Sequence, residues 1–134
     1  QTLGVECVAT GVVDLATFRT QLGERKMKGM FRTGWQMDYP SIENFLSPIF
    51  ATGSSSNDGD YSNAKFDTLL DEAAAETDAA ASNAKYQEAE ALLAADMPSI
   101  PMWYGKTTMG WSEEVTGVKI TAFGTIDFSS VSMK

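Results

Sequence analysis

The alternation of apolar and polar positions divides the chain into an extended opening, a series of short helices and a β-like tail. Residues 3–13 run Leu-Gly-Val-Glu-Cys-Val-Ala-Thr-Gly-Val-Val, a β-branched and apolar stretch that predicts a strand. Asp14 then supplies an N-cap for a short amphipathic helix, with Leu15, Phe18 and Leu22 at spacings of three and four and an end near Gly23. Residues 28–35 read as extended again. The opening third is therefore expected to be a strand, helix, strand unit of the kind that builds parallel sheets. At Asp38-Tyr39-Pro40 the proline pushes the preceding residue out of helical geometry, and a short helix is expected over residues 42–50. Residues 51–61, rich in Gly, Ser, Asn and Asp, predict a solvated connection.

Two helices follow with clear periodicity. Phe66, Leu69, Leu70 and Ala73 recur at i, i+3, i+4 and i+7, with Ser62 or Asn63 available as the cap. The second helix begins near Thr77 or Asp78 and aligns Tyr86, Ala89, Leu93 and Met97 on one face. Pro98 and Pro101 end it, because neither can continue a helix. Residues 100–111 then predict a strand. Beyond Gly117, Val118, Ile120 and Ala122 alternate before Gly124, with Ile126 and Phe128 continuing the β-like pattern.

Composition narrows the chemistry. The chain has 134 residues, 43% of them hydrophobic and 21% charged, which fits one ordinary globular domain. No apolar run approaches the roughly 20 residues that cross a bilayer. The first ten residues resemble neither a signal peptide nor a lipid-attachment segment, so such a signal is expected upstream. Ten basic against eighteen acidic residues give a net charge of −8, which argues against nucleic acid as a partner. Histidine is absent and Cys7 is the single cysteine, so nitrogen and sulfur metal sites, Ser-His-Asp triads and Cys-His pairs cannot be assembled from this chain. Cys7 itself is expected to be a buried small hydrophobe. Asn57-Asp58-Gly59-Asp60 lacks the closing Glu of a calcium loop and reads as a surface turn.

Several strings, in order, carry a resemblance. Gly34-Trp35-Gln36-Met37-Asp38-Tyr39-Pro40, followed by Asn44-Phe45-Leu46, resembles the hinge region of the family 5 extracellular solute-binding proteins, the oligopeptide, dipeptide and nickel binders of ABC importers. Tyr61-Ser62-Asn63 with Phe66-Asp67 and Leu69-Leu70, then Tyr86-Gln87-Glu88-Ala89-Glu90-Ala91-Leu92-Leu93, then Asp96-Met97-Pro98-Ser99-Ile100-Pro101-Met102 extend the match over most of the chain. The resemblance implies an α/β class and an incomplete, C-terminal portion of a two-lobed type II periplasmic-binding-protein fold. Residues 1–37 would end the distal lobe, and residues 38–134 would return through the hinge into the proximal lobe. It also implies a binding protein without cofactor or catalysis, lying outside the cytoplasm and attached through an upstream lipid anchor. Its partners would be a peptide or related small solute and the permease subunits. Strands whose partners are missing would be covered by the rest of a longer chain or by a second copy.

In this family the aspartate of the Trp-x-x-Asp string receives the free amino terminus of bound peptide, so the resemblance gives that role to Asp38. A desolvated ammonium needs a fixed carboxylate, so the chemistry is coherent. Trp35 would form a flat apolar wall, Tyr39 would add a hydroxyl, and Gly34 would permit close backbone approach. Each residue also has a plainer reading: Asp38 as a turn carboxylate, Trp35 as core, Gly34 as a strand end. Trp103, Tyr104 and Trp111 are expected to pack a sheet, and Asp71, Glu72, Glu76, Glu88 and Glu90 to be solvated helix faces. Where many members continue with Asp-Pro after Tyr-Pro, this chain has Ser41-Ile42. Two other functional classes remain open from the residues alone. One is a carboxylate-dependent hydrolase using Asp14 or Asp38 with Glu43, and the other is a structural surface domain with no ligand.

Overall fold

The computed structural model describes residues 4–134. The chain forms two compact units, Gln1–Thr33 and Gly34–Lys134. In the first, helix α1 (Leu15–Gly23) starts where the sequence predicts. The Asp14 carboxylate accepts a hydrogen bond from the Thr17 amide at 2.7 Å. That bond satisfies one of the orphan donors of the first turn and holds the Asp14 carboxyl below its ordinary value. Leu22 is buried, and Phe18 meets Phe31 edge to face at 6.4 Å.

The predicted strands of this unit do not form. Residues 6–12 and 30–37 have no ladder partner among the described residues, and Val8 and Val13 stand exposed. Leu3, where the first strand was expected to begin, lies outside the described residues. The physical reason is that a strand's stability comes from a neighbour's N–H and C=O groups, whereas β-branched sequence only prepares the backbone to accept one. Cys7, expected in the core, is exposed for the same reason. Without a sheet there is no face to bury it.

The second unit is built on α2 (Glu43–Phe50), α3 (Ala64–Ala75) and α4 (Ala79–Asp96). Asn63 caps α3 by accepting from the amides of Lys65 and Phe66, and Asp78 caps α4 by accepting from Ala81. The core is Leu46 from α2, Phe66, Leu69, Leu70 and Ala73 from α3, and Tyr86 and Ala89 from α4. Phe66 and Ala89 are wholly buried. All four apolar positions read from the α3 periodicity are buried. On α4, Tyr86 and Ala89 are buried, but Met97, expected on the same face, is 53% exposed. Met97 adopts a left-handed backbone at φ 47° as the helix cap, which turns it off the helical face before Pro98.

The connection 51–63 is more ordered than a solvated loop. Asn57 is buried, its amide group donating to the carbonyls of Ala51 and Tyr61 while its oxygen accepts from the Tyr61 amide. One side chain thus replaces the backbone ladder that this segment lacks. Tyr61 then packs edge to face against Phe50 and Phe66 and donates to Asp96 at 2.7 Å, tying the loop to the end of α4.

Residues 99–110 carry no strand, contrary to expectation, and Trp103, Tyr104 and Trp111 are exposed rather than packed on a sheet. The tail contains a two-residue antiparallel pair, β1 (Val115–Thr116) with β2 (Ser132–Met133), and an isolated bridge between Ile120 and Ile126. Gly117 sits at φ +75° against the Ser130 carbonyl, where a Cβ has no room. The alternation beyond Gly117 therefore marks β-like backbone that closes on itself in short pieces.

Candidate functional site

The residues singled out by sequence lie together at the entry to α2. Proline at position 40 and the turn at Ser41, whose amide bonds the Tyr39 carbonyl, bring the chain round so that Asn44 faces back onto the Trp35 to Asp38 segment. Asn44 is 2% exposed. Its Oδ1 accepts two hydrogen bonds, from the Trp35 indole Nε1 at 3.2 Å and from the Asp38 backbone amide at 2.8 Å. One buried oxygen thereby fixes the plane of an indole and the path of the backbone that carries a carboxylate. Gln36, between them, donates its side-chain amide to the Phe123 carbonyl in the turn closed by the Thr121 and Thr125 hydroxyls. The strip is anchored on both sides.

Trp35 is 37% exposed and Tyr39 45% exposed, and the Asp38 side chain is also exposed. Gly34 has open space where a Cβ would stand, so close approach is not what this glycine supplies within the chain. The Tyr39 hydroxyl donates to Glu43 Oε2. That bond pushes the Tyr39 phenol above its ordinary value, with the Asn44 side chain acting in the opposite direction. Behind it, burial and then the Glu43 charge raise the Tyr86 phenol. Among the described residues, then, Trp35 and Asp38 present free faces on a rigid support, while Tyr39 and Glu43 are engaged with each other.

Asn44 was missed by the sequence reading as a role, although it opens the Asn44-Phe45-Leu46 string. A polar residue in the first turn of a helix carries no signal by type. Its position two residues before the buried Leu46 becomes informative only once the preceding loop is seen to fold back. An acidic groove of about 750 Å³ lies between α2, α3 and α4, adjoins the strip through Ser41 and Glu43, and includes Asp67, Asp71 and Glu76. None of Gly34, Trp35, Asp38 or Tyr39 lines it. Asp67 is occupied in accepting from the Thr52 amide at 3.0 Å and hydroxyl at 2.6 Å, so part of that acidity is structural.

Of the carboxylates weighed for acid and base work, Asp14 caps α1 and Glu43 accepts from the Tyr39 hydroxyl.

Comparison with known proteins decides the class. No protein-family model matches the chain. It is 29% identical over 102 residues to the peptide transport periplasmic protein SapA of Haemophilus influenzae, covering 74% of this chain and 18% of that protein. It is 30% identical over 121 residues to heme-binding protein A of the same species, covering 88% of this chain and 22% of the relative. The structure of HbpA2 from Haemophilus parasuis, a periplasmic binding protein, superposes with a TM-score of 0.59 and 26% identity over 89% of this chain and 24% of that one. The chain is a relative of the family 5 extracellular solute-binding proteins. It spans about a fifth of the length of these curated relatives, and its α/β fold corresponds to part of a periplasmic-binding-protein architecture. The relatives are binding proteins rather than enzymes, and they are periplasmic.

Proposed function

We propose that this chain is part of the substrate-binding component of an ABC importer and contributes Asp38 and Trp35 to its ligand cleft. The observation that carries the reading is the double hydrogen bond to Asn44, which holds the Trp35 indole and the Asp38 backbone in place while both residues stay exposed. In the complete protein, residues 1–37 end the distal lobe and residues 38–134 form the hinge return and part of the proximal lobe. The compact units divide between Thr33 and Gly34, four residues before that proposed boundary. The work is conformational: ligand brings two lobes together, and the permease recognises the closed form. No bond is made or broken. The setting is periplasmic or extracellular, with a lipid anchor on the longer protein.

A peptide is the favoured ligand, because a peptide's terminal ammonium is what an exposed, positioned carboxylate beside an indole is suited to receive. SapA's name as a peptide transport protein supports that choice; heme-binding protein A shows that relatives differ in what they bind. Tyr39, engaged with Glu43, lines the same entry and steadies the turn, and Gly34 leaves open space beside Trp35 for a ligand's approach.

The test is calorimetry on the full-length protein that contains this chain. Asp38→Asn is expected to weaken a tripeptide with a free amino terminus by about 2–5 kcal/mol, the cost of leaving one member of a desolvated charge pair alone. The N-acetylated tripeptide, which lacks the ammonium, should lose far less. Equal losses for the two peptides would remove Asp38 from the ammonium role.

A further inference from the structure

We infer that Asn44 is the positioning residue of the site, setting ligand affinity through Trp35 and Asp38 without touching ligand itself. The inference rests on the proposed ligand-facing role of those two residues and goes beyond it by naming what makes them competent.

Three features of the geometry single out Asn44. It is 2% exposed and therefore out of a ligand's reach, although its neighbours in the first turn of α2, Glu43 and Phe45, are half-buried and exposed. Its Oδ1 is shared by donors of different kinds, a side-chain indole and a main-chain amide, three residues apart in sequence. Trp35 and Asp38 are thus referred to one atom, so their spacing is set by α2 rather than by the loop that carries them. Leu46, two residues on, is locked in the α2, α3, α4 core with Phe66 and Leu70. The coordinate frame of the site is consequently the hydrophobic core of the second unit. A loop fixed in this way loses little conformational freedom when ligand arrives, and pre-organisation of that kind contributes affinity without adding a contact.

Removing the oxygen frees both partners at once. The part-buried indole N–H loses its acceptor, so Trp35 turns further toward water, and the Asp38 amide is released from the turn. The loss of affinity should then pass through Trp35 and Asp38 and be absent once they are gone.

The experiment uses the full-length protein in a background where Trp103 and Trp111 are replaced by Phe, together with any tryptophan outside this chain, so that emission reports Trp35. Asn44→Leu, of similar volume and without the oxygen, is expected to red-shift Trp35 emission and to weaken the free tripeptide at least tenfold. Asn44→Asp keeps an oxygen for both donors and should retain the emission of the parent and most of its affinity. The Asn44→Leu, Asp38→Asn pair is expected to be less than additive, exceeding the loss of Asp38→Asn alone only by the share that passes through Trp35.

Unchanged emission and unchanged affinity in a folded Asn44→Leu protein would overturn the inference. So would full additivity with Asp38→Asn, which would mean that Asn44 acts by general stability. If Asn44→Leu does not fold, the Asn44→Asp protein decides, because loss of parental emission there contradicts a role for the oxygen. These outcomes are separable from failure of the ammonium reading. If Asp38→Asn weakens free and acetylated tripeptide equally while Asn44→Leu still shifts Trp35 emission and weakens both, Asn44 positions the indole wall and Asp38 is not the ammonium partner.

Discussion

Among single residues, the molecule depends most on those that satisfy two demands at once. Asn44 and Asn57 are both buried amides that replace missing backbone partners, one beneath the candidate site and one beneath the 51–63 loop. Neither was legible as such in the sequence, because asparagine in a turn or a first helical turn is the default there and its partners lie at the far side of a loop. Phe66 was legible, since its apolar type and helical spacing both point inward. Phe66→Ala is expected to cost about 3–5 kcal/mol in chemical denaturation, the usual cost of a large core deletion that cannot collapse. The Tyr61 to Asp96 bond carries a pH signature. Tyr61 is pushed up to about 12, first by burial and then by Asp96. Asp96 is held below the usual carboxylate range by Tyr61 and then Asn63. Stability linked to the raised phenol is complete below pH 10 and lost as pH rises through about 12. Stability linked to the depressed carboxylate is present above its ordinary value of 3.8 and lost as pH falls through its lower folded value. Tyr61→Phe should therefore flatten both limbs of a stability profile against pH; an unchanged profile would assign the dependence to other groups.

Helices and strands differed sharply in how far the sequence revealed them. Helices α1, α3 and α4 were readable with their caps because a helix is closed by bonds within its own segment, and Asp14, Asn63 and Asp78 each bond the amides just ahead of them. Asn63→Ala is expected to cost about 1 kcal/mol, and Asp78→Ala about the same, in thermal or chemical unfolding. An effect within error for both would show that tertiary packing alone starts α3 and α4. Strands 3–13, 28–35 and 100–111 failed as expectations because their bonds must come from elsewhere, and the local pattern cannot say whether a neighbour exists. Gly117 is the exception in the tail. Its positive φ and the adjacent Ser130 carbonyl require glycine, so Gly117→Ala should destabilise the β1 and β2 pair, seen as faster exchange of the Lys134 amide, which donates to the Glu114 carbonyl.

For the whole molecule, the second unit holds a packed helical core together with the site strip, and extended segments with exposed aromatic residues make up much of the remaining chain. The relationship to solute-binding proteins several times longer gives those segments a rationale, as pieces of sheet belonging to a larger architecture. That relationship was legible in the Trp35 to Pro40 strip and the helix strings, which are local sequence, whereas a strand's partners are not written in its own pattern. The account's central claim is that Asp38, held by Asn44 beside Trp35, faces a charged ligand end. A crystal structure of the full-length protein with a bound tripeptide measures this most directly. The account predicts the peptide ammonium within hydrogen-bonding distance of the Asp38 carboxylate, with Trp35 Nε1 still donating to Asn44. A ligand bound elsewhere, with Asp38 pointing into solvent, would contradict it.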